Sequence, residues 1–420
     1  MQKPSQNPFN TDLKATIVGA GFSGLSIAYF LLKNGYQVKI LEKNNHVAGL
    51  LQSPETPYGI IEHAANGLIN SQELIDICSD IGLDILYPSA SSKKKYLFNN
   101  GKMTRWPFGI FKTISTIIKI FKFKRNKNRF KPIKLESFSG WVNRVFSQDL
   151  LNQLVEPAFQ GVYATYANNL SATLVTKNLF KEKSTTKNNS VKRQTVSFSG
   201  GMNEFCSKLS DYLTKNGVEI QLNCEATNIS PEGLNILTCN PRAAGKILKP
   251  INEGLAKDLM SLNNISIAKV SCFIKNSEHS PEGFGCLFPK AEGFNSLGVL
   301  FDSSLFPTRY NEHSLHTWIL GEDLIKSCET DDQLTEYVTA DIKKLWNKGL
   351  NSAHTDIKVW KQTLPLYDSV LETFIYKYDL NAEVLDNLYL FGNYTGDLGL
   401  SQLLIKAKKI ATRINYEQTK

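Results

Sequence analysis

The sequence predicts a fold that combines an α/β domain with an α+β domain, and three observations support this. A short apolar strand, residues 15–18, enters a glycine-rich turn at 19–24 and then an amphipathic helical pattern. Near the carboxyl end, the strand-like run 388–391 enters a second glycine-rich turn at 392–399, again before a helix. Strand and helix patterns alternate over residues 246–384. At 420 residues the chain exceeds the usual size of one core, so two or three domains are expected.

The first glycine-rich turn has the spacing of a dinucleotide-binding site. Gly19 permits a sharp turn after the strand, Gly21 lets a diphosphate approach the backbone, and Gly24 lets the helix lie close to the sheet. Unpaired N–H groups and the dipole at the helix start favour that negative charge. Glu42 ends the next strand-like run and is expected to bind a ribose hydroxyl. The contacts predicted here are Gly19, Ala20, Gly21, Phe22, Ser23, Gly24, Glu42 and Lys43.

The closing glycine-rich turn helps to decide which dinucleotide is bound. The first turn alone fits FAD or NAD. The alternative is a glycine turn in an unrelated α/β protein without a dinucleotide site, and the acidic residue at the end of the next strand disfavours it. Two such turns, one near each end of the chain, favour FAD because a large cofactor can be held along its length. The contacts predicted at the closing turn are Gly392, Asn393, Asp397, Leu398, Gly399 and Leu400.

The composition is that of an ordinary globular protein with a basic excess. The net charge of +9 fits nucleic acid, anionic lipid or an acidic substrate, but no nucleic-acid recognition fold accompanies it, so no nucleic-acid partner is expected. Seven scattered cysteines without a CxxC pair, and six unclustered histidines, disfavour a metal site and fit a reducing compartment. Residues 1–8 lack a signal pattern, and no apolar run approaches ~18 residues. A cytoplasmic location is therefore predicted.

Residues 106–131 combine bulky apolar side chains with many lysines and arginines. The helical pattern puts the apolar residues on one side and lysines on the other, which is typical of a helix lying in a membrane interface. The alternative is a core-facing helix followed by a solvated basic loop. Peripheral attachment to an anionic membrane surface is the prediction. The apolar side consists of Phe111, Ile114, Ile117, Ile118 and Phe121, and the opposite side carries Lys112 and Lys119.

Shorter patterns predict the remaining elements. Residues 93–103 read as a hairpin with an Asn-Gly turn, and residues 71–81 read as a helix. Further strands are expected at 59–62, 196–198, 218–222, 226–229, 265–274 and 296–301, and further helices at 205–216 and 330–346.

Several segments together resemble the protoporphyrinogen oxidase family of FAD-dependent oxidases, within the flavin amine oxidase superfamily. The resemblance covers nearly the whole chain, from Ile17 to Ile414. It implies a Rossmann-like FAD-binding domain interrupted by a mixed-sheet substrate domain and a helical membrane-associating insertion. The segments that carry it, besides the first glycine turn, are 156–164, 170–172, 196–202, 283–289, 301–307 and 392–400.

On this basis the chain is divided into three expected domains. The FAD-binding domain comprises residues 1–80, 192–245 and 385–420, and the substrate domain comprises 81–102 and 246–384. The helical insertion comprises 103–191. Gly49, Asn66, Gly67 and Ala226 complete the predicted cofactor contacts.

The resemblance implies oxidation of protoporphyrinogen IX to protoporphyrin IX, with six electrons removed in three flavin cycles and passed to O2 or a respiratory acceptor. Coproporphyrinogen III is the substrate of a related branch. Because the hydride goes to the flavin and ring N–H tautomerism moves protons, no catalytic acid or base is expected. The alternatives are another flavin amine oxidase or desaturase, or a non-catalytic flavoprotein homologue that binds tetrapyrroles. The sequence leaves a homodimer open.

A flat macrocycle with acidic propionates needs apolar walls and one or two cations. By the resemblance, Phe284 and Leu287 sandwich the rings, and Ile319 is a third expected wall. Lys95 matches a basic position that meets a propionate. The neighbouring residues 93–94 could supply the cation instead, and a solvated basic loop is the further alternative.

Three departures from the family pattern bear on the flavin. The usual Gly-Gly-Arg is here Ala48-Gly49-Leu50, so a basic contact near the phosphates is missing. Asp397 replaces a small residue in the closing turn, and segment 62–67 lacks a Gly-Pro pair. These departures predict a loosely held FAD or a shifted substrate.

Overall fold

The structure is a computed structural model that describes residues 13–105, 123, 125–180 and 191–418. The helices of eight or more residues are α1 (Phe22–Lys33), α2 (Gln72–Ile81), α3 (Phe138–Val145), α4 (Glu156–Tyr163), α5 (Ala172–Phe180), α6 (Met202–Lys215), α7 (Pro241–Leu248), α8 (Glu253–Met260), α9 (Gln333–Trp346), α10 (Ser369–Lys377) and α11 (Leu400–Gln418). The strands are β1 (Lys14–Val18), β2 (Gln37–Leu41), β3 (Glu55–Thr56), β4 (Gly59–Ile60), β5 (Leu68–Ile69), β6 (Lys95–Asn99), β7 (Lys102–Arg105), β8 (Thr195–Val196), β9 (Glu219–Gln221), β10 (Leu234–Leu237), β11 (Asn264–Lys275), β12 (Gly285–Leu287), β13 (Gly298–Phe301), β14 (His313–Leu320), β15 (Ser352–Pro365) and β16 (Leu388–Leu390).

A five-stranded parallel sheet in the order β16-β10-β1-β2-β9 forms the centre of the α/β part. Its central strands are apolar because helices cover both faces, as parallel sheets require. Helices α1, α6 and α11 contribute fully buried Leu25, Leu209 and Leu404 to the core beside this sheet. The α/β class predicted from the two glycine turns is therefore confirmed.

The strand predicted at residues 226–229 is wrong. That segment, with Ala226 at its start, is irregular in the structure, and the strand beside β1 is β10 instead. Gly233, with φ of +70°, turns the chain into β10, whose four residues are all buried. The reason is burial: strand β10 lies inside the sheet between β16 and β1, where a mainly apolar segment is favoured over an exposed polar one such as 226–229.

A seven-stranded mixed sheet in the order β15-β11-β14-β13-β12-β6-β7 forms the second body. All its pairings are antiparallel except β12 with β6. The predicted hairpin is present as β6 and β7, where Asn100 and Gly101 have φ of 52° and 74° as a tight two-residue turn requires. The mixed-sheet part of the predicted fold class is thus confirmed, while the residue boundaries of the domains stay predictions.

The two faces of the mixed sheet have different neighbours. On one face, Val270 and Trp318 pack under helix α9 in a core that includes Val338. On the other face, Lys269 reaches segment 62–66 of the α/β part. Because side chains alternate along each strand, residues in register with Lys269 line the face that looks toward the glycine turns.

Helices α3, α4 and α5 form a smaller helical part whose core includes Phe138 and Trp141. The apolar helix predicted from Trp106 to Phe123 lies outside the described residues except for Phe123, and the basic segment after it includes a single helical turn at Lys127–Phe130. Among the helices that are described, none has both the length and the apolar character needed to cross a membrane.

Candidate active site

The turn between β1 and α1 has the steric features expected for the first glycine motif. Gly19 has φ of +109°, and a Cβ there would lie 2.9 Å from Thr238 Oγ1. A Cβ at Gly24 would lie 1.9 Å from the Gly19 carbonyl oxygen, which is less than any allowed contact. At Gly21 the one atom within 4 Å of an added Cβ is Gly49 Cα, at 3.9 Å. The backbone at Gly21 therefore borders open space, as a diphosphate needs.

Helix α1 begins at Phe22 without a side-chain cap, since Gly21 occupies the capping position. Its first N–H groups therefore remain available for an anion. The Phe22 side chain is buried and lies 5.7 Å from the Phe205 ring, centroid to centroid. Ser23 is half-buried. Of the predicted contacts at 22–23, Phe22 can thus offer a ligand only its backbone.

Glu42 lies at the carboxyl end of β2, beside the first turn. Its Oε2 accepts a hydrogen bond from Ala20 N at 2.8 Å, and its Oε1 accepts one from Asn44 N at 2.9 Å. The backbone of Glu42 also accepts a hydrogen bond from Cys224 N, 2.8 Å away, which brings the segment leading to Ala226 to this end of the sheet. Lys43 is exposed. The structure thus places Ala20, Glu42 and the approach to Ala226 together.

Segment 48–52 runs directly past the first turn. Ala48 N donates to Ala20 O at 2.9 Å, and Gly49 has φ of +59°. Leu50, which stands where the family has arginine, is half-buried. A lysine from the mixed sheet lies nearby, because Lys358 Nζ donates to Gln52 Oε1 at 3.2 Å.

The closing turn meets the first turn at the carboxyl ends of neighbouring parallel strands, where open α/β sheets bind ligands. Thr238, just after β10, donates its hydroxyl to Gly19 O at 3.0 Å. A Cβ at Gly392 would lie 4.0 Å from Thr238 O, so the two glycine turns flank the same residue. Tyr367 donates its hydroxyl to Asn393 O at 2.6 Å, and Leu398, Gly399 and Leu400 lead into α11. The structure therefore brings together both ends of the predicted cofactor site.

Asn66 and Gly67 join this site to the mixed sheet. A Cβ at Gly67 would lie 2.4 Å from Val196 O, so this glycine packs directly against β8. Asn66 accepts a hydrogen bond from Lys269 Nζ at 2.7 Å and donates one to Asp302. Burial lowers the pKa of Lys269 to about 8, and burial raises the pKa of Asp302.

Sequence reasoning missed Lys269 and Asp302. Lys269 also donates to the carbonyl oxygens of Glu62 and Ala64, so its ammonium group is held between the two bodies. The lone charged residue within the mainly apolar run Ile265–Ile274 is a usable signal, because a charge inside a buried strand needs partners.

Two predicted substrate residues, Leu287 and Ile319, share the face that carries Lys269. Ile319 is the direct register partner of Lys269, Gly298 is the partner of Ile319, and Leu287 is the partner of Gly298. Leu287 and Ile319 are half-buried and lie two strand spacings apart, about 10 Å. Gly298 lies between them, and a Cβ there would lie 3.4 Å from Leu287 Cδ2, so the Leu287 side chain packs over this glycine.

Lys95 is the first residue of β6 and the register partner of Gly285 on the neighbouring strand β12. It is exposed, and its Nζ lies 5.2 Å from the centroid of the Phe284 ring. Of the two alternative cations, Lys94 is paired with Glu282, and Lys93 is exposed. The structure thus brings Lys95 and Phe284 together and favours Lys95 over Lys94.

Helix α4 lies between Leu287 and the closing turn. A Cβ at Gly161 would lie 3.1 Å from Leu287 Cδ2, so the helix backbone packs against this side chain. At the end of α4, the Tyr163 ring lies 5.4 Å from the ring of Tyr367, which bonds to Asn393 of the closing turn. The helix therefore connects the Leu287 side chain with the closing turn. Within the described residues, no group of three or more His, Cys, Asp or Glu side chains could hold a metal ion.

The sequence and the fold are both similar to known proteins. The model of a family described as flavin containing amine oxidoreductase matches residues 22–401. Protoporphyrinogen oxidase 2, chloroplastic/mitochondrial, of Arabidopsis thaliana is 24% identical, over 95% of this chain and 93% of that protein. Protoporphyrinogen oxidase of Dictyostelium discoideum is 23% identical, over 94% and 98% of the two chains. The solved structure of cyclohexylamine oxidase from Brevibacterium oxydans IH-35A superposes with a TM-score of 0.72 at 14% identity, covering 97% and 100%.

Proposed function

Because the chain belongs to the family of flavin-containing amine oxidoreductases, we propose that it uses FAD to oxidise protoporphyrinogen IX to protoporphyrin IX. The observation that carries the proposal is the sheet face shared by Leu287, Ile319 and Lys269, together with Lys95 Nζ 5.2 Å from the centroid of the Phe284 ring. Relatives named protoporphyrinogen oxidase, which this chain matches over nearly their whole length, support the same substrate.

The residues at the glycine turns fit FAD. Open space over Gly21, uncapped N–H groups at α1 and the buried carboxylate of Glu42 provide for a diphosphate and a ribose. When bound, FAD accepts two electrons per cycle, so three cycles remove the six hydrogen atoms by which the substrate exceeds the product, with O2 or a respiratory acceptor taking the electrons.

The chain itself supplies orientation in this proposal. The half-buried side chains of Leu287 and Ile319 hold the macrocycle by apolar contact, and Lys95 pairs with a propionate at the exposed end. Helix α4 shields the reacting carbon from water. No side chain needs to act as acid or base, because the pyrrole nitrogens of the substrate carry the protons.

The test is direct. The purified protein is examined for bound flavin, and protoporphyrinogen IX is then added without oxygen. We expect the flavin absorbance to bleach and porphyrin fluorescence to appear. Intact flavin absorbance with no porphyrin formed would overturn the proposed substrate, and faster bleaching by coproporphyrinogen III would assign the chain to that branch instead.

Lys95→Ala is expected to raise the KM for the porphyrinogen roughly 10- to 150-fold with flavin content unchanged. The reason is loss of a charge-assisted contact worth about 1.5–3 kcal/mol. Steady-state kinetics measure it. Lys94→Ala is the matched control, because that lysine is already paired with Glu282 and should leave KM unchanged. Equal KM values for wild type and Lys95→Ala would remove Lys95 from the substrate site.

We also propose that the protein attaches to an anionic membrane surface. The apolar side predicted at 111–121 lies outside the described residues, but the described chain beyond it exposes Ile133 and Leu135 beside Lys134, whose Nζ lies 5.5 Å from the Tyr376 ring centroid. Exposed apolar side chains next to basic ones are typical of interfacial binding.

Replacing Phe111 and Phe121 together by serine is expected to release the protein from liposomes that contain an anionic lipid. Insertion of each phenylalanine into the interface contributes about 1.5–3 kcal/mol, so losing two removes about 3–6 kcal/mol, comparable to the whole affinity of marginal membrane binding. Co-sedimentation measures it. Leu222→Ser, which changes an exposed apolar residue of the α/β part, is the control. Unaltered sedimentation of the double variant would refute the membrane assignment.

A further inference from the structure

Asp397 places a carboxylate in the closing turn, three residues before α11. Its side chain is only 15% exposed. The turn is one of the two that are proposed to hold the flavin, and a flavin gains negative charge when it is reduced. An uncompensated carboxylate at this position would therefore disfavour reduction and repel the diphosphate end of the cofactor.

A lysine from the helical part meets this carboxylate. Lys177, on α5, donates to Asp397 Oδ1 at 2.6 Å, and the two residues are 220 positions apart in the chain. The same Nζ also donates to the Gly396 carbonyl oxygen. The lysine side chain is 28% exposed. Because both partners are largely buried, the attraction is screened less than in a surface pair.

Two phenols and a second lysine also lie near the closing turn in the described part of the chain. Tyr163 and Tyr367 face it, and burial together with the Asp397 charge raises the pKa of Tyr163 to about 12 and that of Tyr367 well above its usual value. Both phenols therefore stay protonated at neutral pH. Lys406 lies under the same turn, but its Nζ donates to Thr395, through the carbonyl oxygen at 2.8 Å and the hydroxyl at 2.9 Å.

We propose that Lys177 is a positioning residue for the flavin. By pairing with Asp397 and Gly396 it fixes the shape of the closing turn and cancels the charge that the turn would otherwise present. The proposal rests on the flavin site proposed above. It also explains how the chain tolerates an acidic residue at a position where the family has a small one.

The experiment titrates the apoprotein with FAD and follows the quenching of flavin fluorescence, and a second measurement determines the flavin midpoint potential. Lys177→Met should weaken FAD binding about tenfold and lower the midpoint potential, because Asp397 is left unpaired. Asp397→Asn should bind FAD at least as tightly as the wild type. The double variant Lys177→Met/Asp397→Asn should bind FAD more tightly than Lys177→Met, since it no longer carries the unpaired carboxylate.

Lys377→Met is the matched control, because Lys377 forms a similarly short pair with Asp258 at 2.5 Å on a more exposed surface. An FAD affinity and potential of Lys177→Met equal to those of the wild type would overturn the proposal. If Lys177→Met does not fold, the Asp397→Asn variant alone tests the proposal. Weaker FAD binding by Asp397→Asn than by the wild type also overturns the proposal. Neither measurement uses a porphyrinogen. The FAD affinity and the midpoint potential can therefore be interpreted even if protoporphyrinogen IX is not the substrate.

Discussion

Arg309→Met is expected to lower the free energy of unfolding by about 3–5 kcal/mol, because it removes one partner of a buried ion pair. The side chains of Arg309 and Glu62 are each 2% exposed, and Arg309 Nη1 lies 3.1 Å from Glu62 Oε1. The guanidinium also donates to Phe198 O through Nε at 2.9 Å and to Ser197 Oγ at 2.5 Å. Methionine would leave these acceptors buried and partly unpaired.

The same pair joins the two bodies at the start of α6. Glu62 Oε1 also accepts from Met202 N at 2.9 Å, and Oε2 accepts from Ser53 Oγ at 2.7 Å. Burial already raises the pKa of Glu62, and Arg309 opposes that rise. In the variant this pKa should rise further. Because the folded-state pKa is then above the unfolded value, the variant should lose stability as pH rises from the usual carboxyl range toward neutrality.

Urea unfolding at pH 5 and pH 7 measures both effects for Arg309→Met. Arg413→Met is the control, since Arg413 pairs with Glu417 on the surface of α11 with 44% of its side chain exposed, and such pairs contribute about 0–1 kcal/mol. A loss below about 1 kcal/mol in Arg309→Met would show that the pair is replaceable.

Gly24→Val is expected to weaken FAD binding about 100-fold or more, so that the purified protein loses its flavin. The added Cβ would overlap the carbonyl oxygen of Gly19 at 1.9 Å and its carbonyl carbon at 3.0 Å. Both atoms belong to the backbone of the turn, so relief requires α1 to move away from β1. That movement displaces the N–H groups that are proposed to bind the diphosphate.

Flavin content per polypeptide and an FAD titration measure this effect of Gly24→Val, with circular dichroism to confirm folding. Gly349→Val is the control, because no atom lies within 4 Å of an added Cβ there. A folded Gly24→Val protein with the full flavin content would show that this close contact is not required.

The sequence by itself determined the local parts of the candidate site. The roles of Gly19 and Gly24 follow from their lack of a Cβ, the tight turn at 100–101 follows from residues that accept positive φ, and Glu42 follows from strand length and spacing. Each depends on neighbours within a few residues. Such features can therefore be read from the chain in order.

Only the tertiary structure decided which distant residues share an environment. The register of four strands places Ile319 beside Lys269 and Leu287 across from it, and the packing of α5 on the closing turn brings Lys177 to Asp397. Asp397 looked like a charge that would loosen the flavin, and the fold shows it paired. The physical reason is that burial and pairing set the effect of a charge, and both depend on contacts between segments hundreds of residues apart.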